Sequence, residues 1–149
     1  MAITKIFPLL GEDRIKFLSS NTKNDIIDEM SQLSKDVVTD VDEFKRTILE
    51  RESIISTGIG QGFAIPHVKN EYVENFFITM GLVRDGVDWD AIDNEPVHII
   101  FMIGGPDGKQ NEYLSILSKL SLIIKNPLNK EFMLNASDSA EILEFFKRF

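Results

Sequence analysis

The sequence predicts a layered domain that mixes helices and strands, α/β or α+β, and three observations predict it. Apolar residues recur at helical spacing near both ends of the chain, over about residues 22–54 and 110–149. Between them lie two short apolar runs with little alternation, "FFITMGLV" (76–83) and "VHIIFMI" (97–103), as central strands covered on both faces require. The chain has 149 residues, 43% of them hydrophobic and 11 of them Phe, enough for the core of one domain spanning 1–149.

The elements follow in order. In "NTKNDIIDEMSQL", Thr22 offers a cap, and Ile26, Ile27, Met30 and Leu33 share one helical face. "TDVDEFKRTILERE" repeats the logic, with a capping-box-like pair, Asp40 and Glu43, ahead of the stripe Val41, Phe44 and Ile48. "STGIGQGF" carries Gly58, Gly60 and Gly62, so the backbone can turn sharply there. The two apolar runs are joined by the turn-rich "RDGVDWDAIDNEP". A long helix follows, with Tyr113, Ile116, Leu117, Leu120, Ile123 and Ile124 as its buried face and Pro127 as the stop beyond it. "DSAEILEFFKRF" is a last amphipathic helix through Ile142, Phe146 and Phe149.

Composition removes several function classes. There is no cysteine, which rules out disulfides, thiolate nucleophiles, zinc ribbons and iron–sulfur clusters. A net charge of −8 argues against a nucleic-acid binder, which needs a basic patch. The two histidines lie well apart, and no carboxylate cluster has metal-ligand spacing. No tract reaches the ~20 apolar residues of a membrane span. The N-terminal stretch also lacks a signal peptide's apolar region and cleavage site, so a cytoplasmic location is expected.

The chemistry concentrates at "GQGFAIPHVK" (60–69). A neutral imidazole is nucleophilic near physiological pH and can take a phosphoryl group as a covalent phosphohistidine. Pro66 fixes a torsion just before His67, and the nearby glycines let backbone N–H groups face an anion. A lone loop histidine is more often an ordinary surface residue, and spacing alone leaves both readings standing. Arg51 falls three residues beyond Ile48, at the inner edge of the helix's last turn. Its guanidinium is either a fork for phosphate oxygens or a side chain that snorkels to water and complements the helix C-terminus.

"RESIISTGIGQGFAIPH", "DWDAIDNEPVHIIFMI" and "LSILSKLSLIIKNP" together resemble the fructose/mannitol-type (type-2) enzyme IIA of the bacterial phosphoenolpyruvate:sugar phosphotransferase system. The resemblance runs from about Asn24 to Phe149, in the family's order and spacing, and is weakest over the first twenty residues. It implies an α/β fold with a central mixed, largely parallel sheet and helices on both faces. It also implies a phosphotransferase that works through a phosphohistidine on His67, with Arg51 stabilising the phosphoryl group. Phosphate would come from the phosphocarrier protein HPr and pass to a cysteine of an enzyme IIB, serving uptake of a fructose-like sugar. A membrane permease would be involved only indirectly, and no metal or organic cofactor is expected. The absence of cysteine fits an enzyme IIA not fused to a cysteine-bearing IIB.

One position departs from the family. A second histidine is common at the start of the long helix, and here Tyr113 stands in its place, as a supporting site residue. His98 opens a strand and is assigned a structural role, as are Trp89 (packing) and Asp93-Asn94 (a turn). Two alternatives accompany the sugar-uptake reading. One is a nitrogen-related regulatory enzyme IIA that controls partners through its phosphorylation state. The other, suggested by Tyr113, is a binding module that no longer transfers phosphate.

Overall fold

The computed structural model describes residues 5–149; the first four residues of the expected 1–149 domain lie outside it. Its spine is an antiparallel pair formed by the two apolar runs, β5 (Phe77–Val87) and β6 (Val97–Gly105). Around them β1 (Ile15–Phe17), β2 (Gly58–Gly60), β3 (Phe63–Ala64) and β4 (His67–Lys69) complete a six-stranded sheet. The order is β1-β5-β6-β3-β2, and β4 also pairs with β6. β1 runs parallel to β5, and β3 and β4 run parallel to β6. β2–β3 is antiparallel. The sheet is thus mixed: most of its described pairings are parallel, while the longest is antiparallel.

Alternation along the two central strands sorts the core into two layers. Ile78, Met80 and Leu82 of β5 and Ile99, Phe101 and Ile103 of β6 point to one face. There they meet α3 (Gln110–Lys125), α4 (Pro127–Asn135) and α5 (Ser139–Phe146). Phe77, Val83, Ile100 and Met102 point to the other face, under α1 (Lys23–Leu33) and α2 (Val41–Ile54). Because both faces are covered, the strands read as continuous apolar runs. Thr79, near the start of β5, is fully buried and meets Ser34 at 2.7 Å, hydroxyl to hydroxyl.

The two expected caps, Thr22 and Asp40, are present, and Asp138, not singled out in the sequence, caps α5 in the same way. Thr22, Asp40 and Asp138 each accept a backbone N–H three residues on, from Asp25, Glu43 and Glu141. Pro127 does more than stop a helix: with Asn126 as cap it opens α4, an element the periodicity did not single out. The connection between the central strands is shorter than expected, because β5 continues through Arg84–Val87 with a register shift. His98 sits on that irregularity. Its Nδ1 lies 3.1 Å from the Val83 carbonyl and 3.2 Å from that of Arg84, in keeping with the structural role expected of it. Trp89 is fully buried, and Asn94 (φ 60°) is in a turn whose Asp93 carboxylate accepts the Gln61 and Glu95 amides. No helix among the described residues is long and apolar enough to cross a membrane.

Close packing of the α2 layer depends on Gly104. A Cβ there would lie 2.3 Å from Phe77 Cε1 and 3.1 Å from Phe44 Cε1, two rings that pack 5.7 Å apart. Gly104→Ala is therefore expected to cost about 1–3 kcal/mol through overpacking. Urea unfolding should show a lower midpoint with an unchanged slope. A wild-type midpoint would mean that the Phe44–Phe77 layer yields without cost.

Candidate functional site

Proline creates the site. β3 and β4 lie end to end along one edge of β6, pairing with Ile99–Ile100 and with Ile103–Gly105. Ile65-Pro66 falls between them. Proline has no N–H to give a ladder, so the strand breaks there and His67 begins the second half. Val68 is buried in the layer beneath α1 and α2, so alternation turns His67 and Lys69 toward the side of α3.

Beside the break, the Ile65 carbonyl takes a side chain. His67 Nδ1 is 2.9 Å from it. A carbonyl only accepts, so Nδ1 carries the ring proton and Nε2 keeps its lone pair. Two clefts meet at the ring. One, of about 200 Å³, is walled by Arg51, Ile54, Ile55 and Thr57. The other, of about 250 Å³, adds Ile59, Ile65, Tyr113 and Leu117. Burial pushes the His67 pKa below the ordinary imidazole value; the Ile65 bond opposes that shift, and Arg51 adds to it. The ring is therefore neutral and nucleophilic near pH 7.

Arg51 reaches this cleft from the last turn of α2, but not from the inner edge. It is exposed, and Glu52 takes the inward place after Phe44 and Ile48. The reason is helical geometry. Relative to Ile48, a step of four residues rotates by about +40° and a step of three by about −60°. The stripe therefore passes through position 52 and leaves Arg51 on the flank. Among the described residues Arg51 has no carboxylate partner, unlike Arg46 one turn earlier, which pairs with Glu43 and Glu50.

Tyr113, from the first turn of α3, lies beside the histidine, with ring centroids 5.2 Å apart. It is buried, and burial pushes its phenol up to about 12, so the hydroxyl stays protonated. Lys69 Nζ stands 4.9 Å over the other part of this cluster, the Tyr113 ring, and also donates to Gln110. His67, Arg51 and Tyr113, far apart in sequence, are thus brought together, with Lys69 as an additional cation.

The main omission of sequence reasoning is Glu52. Its side chain is 4% exposed and pairs with Lys23 at 2.6 Å. Thr57 donates to it twice, through its backbone N–H at 3.2 Å and through its hydroxyl. Trp89 Nε1 in turn donates to the Thr57 hydroxyl at 3.3 Å. The visible signal was an acidic residue at i+4 on an apolar stripe. Around the clefts the surface is apolar, with Ile54 78%, Ile55 74% and Ile59 46% exposed.

The chain is similar to known proteins in sequence and in fold. Residues 8–149 match the family described as "Phosphoenolpyruvate-dependent sugar phosphotransferase system, EIIA 2". The fructose-specific EIIABC component of Bacillus subtilis (strain 168) is 39% identical over 142 residues. That match takes in 93% of this chain but only 22% of the longer protein. The nitrogen regulatory protein IIA-Ntr of Neisseria meningitidis superposes with a TM-score of 0.89 at 26% identity, covering 95% of this chain and 99% of its own. The enzyme IIA for mannitol from Escherichia coli, solved in complex with phosphorylated IIB for mannitol, shares the fold with a TM-score of 0.80 at 16% identity, covering 94% and 98%.

The electrostatics of the site are directly measurable. Arg51 depresses the His67 pKa, so Arg51→Ala should move the His67 NMR titration midpoint upward, toward about 6.5, with a smaller change at high salt. An unmoved midpoint would place the guanidinium outside the imidazole's field. The sign for stability follows from the same depression. An unfolded chain binds a proton at His67 before the folded one does as pH falls. The contribution is complete above about pH 6.5 and is lost as pH drops toward the folded midpoint.

Proposed function

This chain belongs to the phosphoenolpyruvate-dependent sugar phosphotransferase system EIIA 2 family, whose components act as phosphotransferases, and we propose that it relays phosphate through His67. The observation that carries the reading is the ring itself: neutral, with its Nδ1 proton committed to the Ile65 carbonyl and Nε2 left as the nucleophile. The Nε2 lone pair attacks the phosphorus of a phosphorylated carrier, HPr. The new P–N bond forms as the bond to the carrier breaks, and that electron pair returns to the carrier. Delivery reverses the logic. A cysteine thiolate of an enzyme IIB attacks the phosphorus, the P–Nε2 bond breaks and His67 is neutral again. The proton stays on Nδ1 throughout, donated to the Ile65 carbonyl.

A phosphoryl group carries its charge on equatorial oxygens in the transition state, and fixed cations placed there lower the barrier. Arg51, without a carboxylate partner on the wall of the cleft, supplies a planar fork for two of those oxygens. Tyr113 supports the imidazole from the other side as a neutral donor. The exposed Ile54, Ile55 and Ile59 suit docking of protein partners around a half-buried histidine better than capture of a small free substrate. The resemblance to a fructose-specific relative favours uptake of a fructose-like sugar, with the chain at work on the cytoplasmic side. The close superposition on a nitrogen regulatory IIA favours a second reading, in which the phosphorylation state of His67 controls regulatory partners instead.

Incubation with phosphoenolpyruvate, enzyme I and HPr should add one phosphoryl mass, acid-labile and absent in His67→Ala. A full shift in that variant would reject His67 as acceptor. Transfer to a fructose-class IIB separates the sugar reading from the regulatory one. Arg51→Ala should slow transfer by about 10²-fold or more, and Arg51→Lys should rescue poorly because an ammonium has no fork. A folded Arg51→Ala that transfers at the wild-type rate assigns Arg51 to the helix end alone.

Tyr113→Phe keeps the ring against His67 and removes only the hydroxyl. A three- to tenfold slower transfer is expected, equivalent to a neutral hydrogen bond of about 0.5–1.5 kcal/mol. Wild-type rates in Tyr113→Phe, with only lower thermal stability in Tyr113→Ala, would make the residue core and not site.

A further inference from the structure

Beyond the residues that face the clefts, an unbroken set of hydrogen bonds runs from a buried carboxylate to the histidine. Lys23 Nζ contacts Glu52 Oε2, and both Glu52 oxygens receive Thr57, one its N–H and one its hydroxyl. The Thr57 carbonyl accepts the Ile65 N–H at 3.0 Å, and the Ile65 carbonyl accepts His67 Nδ1–H at 2.9 Å. We infer that Glu52 is a positioning residue for His67, acting through Thr57 and Ile65 to fix the ring's tautomer and direction. This rests on the reading of His67 as the phosphoryl acceptor.

A role confined to tying α2 to α1 does not account for the arrangement. The Lys23 contact alone would do that, and it uses a single carboxylate oxygen. Two donors from one threonine instead lock the short segment that follows α2, and Thr57 lines both clefts that meet at His67. The segment needs such a lock. Ile65 sits in the proline-broken gap of the sheet edge, where β6 reaches the Pro66 carbonyl but does not hold the Ile65 N–H. That N–H goes to Thr57, so the position of the carbonyl that reads His67 is set by where Thr57 stands. Trp89 Nε1, donating to the same threonine hydroxyl, fills its acceptor side and leaves its proton for Glu52.

Charge adds to geometry. The groups that face His67 are Arg51 and Glu52 from α2, Lys69 from β4 and the neutral Tyr113 from α3. Arg51 and Lys69 push the imidazole toward its neutral form, and Glu52 is the anion that opposes them. Removing that anion lowers the His67 titration midpoint further, whereas loosening the fold alone exposes the ring and brings the midpoint back up. The two outcomes have opposite signs.

The test is ¹⁵N NMR of the His67 ring nitrogens across pH in the full chain, wild type against Glu52→Gln and Thr57→Val, with circular dichroism as the check on folding. Wild type should show Nδ1–H as the dominant neutral tautomer. Glu52→Gln should show a mixture of tautomers and a lower midpoint, and phosphoryl acceptance from phospho-HPr should slow by about ten- to a hundredfold. Thr57→Val keeps the β-branched shape and removes the hydroxyl lock, so it should also mix the tautomers. Should Glu52→Gln fail to fold, Thr57→Val decides alone. Wild-type tautomer and midpoint in the folded variants would overturn the inference, as would a loss of stability with no change at the ring. The NMR readout needs no phosphoryl donor. Failure of wild type to accept phosphate would therefore count against the relay function and leave the positioning result to stand or fall by itself.

Discussion

Proline's missing N–H is the constraint on which the rest of the site depends. At Ile65-Pro66 the edge of β6 loses one rung of its ladder, and the chain beside it becomes two strands instead of one. Beside the break, the His67 imidazole takes the Ile65 carbonyl two residues before it. One carbonyl thus settles which ring nitrogen holds the proton and which faces the clefts. The surrounding strands supply rigidity: β6 is buried on both faces and paired along both edges, so a side chain at its border is held by the stiffest part of the molecule.

Around this fixed ring the protein balances opposite demands on charge. The chain as a whole is acidic, at −8, yet the groups nearest His67 include the cations Arg51 and Lys69. A nucleophilic imidazole must be neutral before transfer, and a phosphoryl group needs positive charge once it arrives. In the proposed relay, cations beside a half-buried ring serve both needs, because they lower its pKa in the resting state and would attract the arriving anion. Glu52 keeps that tendency within bounds from inside the helix. Tyr113 contributes shape without charge, since its burial raises the phenol pKa instead of lowering it.

The sheet edge, α2 and α3 converge on the ring for reasons of packing more than of chemistry. α2 is held over its face by Phe44 and Ile48, and its last turn comes to the border of the sheet, where Arg51 extends beyond the core and Glu52 stays within it. α3 is held by Ile116, Leu120 and Ile123, which places the first turn, with Tyr113, against the histidine. The exposed isoleucines at the end of α2 and on β2 are then left as an apolar border to a polar centre.

Much of this was legible in the sequence, and the limits have physical causes. Capping residues act over three positions, so Thr22 and Asp40 could be read from the chain alone. Unalternating apolar runs require burial on both faces, so β5 and β6 and their two helical layers followed from composition along a few residues. His67 drew attention because its neighbours, glycines and a proline, dictate backbone shape locally, and the resemblance to the enzyme IIA family turned that into a reading of its role. The inward place of Glu52 was open to spacing, since a step of four from Ile48 stays nearer the stripe than a step of three. What spacing could not resolve was which groups the buried carboxylate meets, Lys23 and Thr57. The edge positions of the short strands, the helix opened by Pro127 and the hydrogen bonds from Glu52 to His67 were likewise decided in three dimensions. Each depends on partners dozens of residues away, or on a strand too short to carry a period, and such contacts exist only once the sheet has brought the segments together.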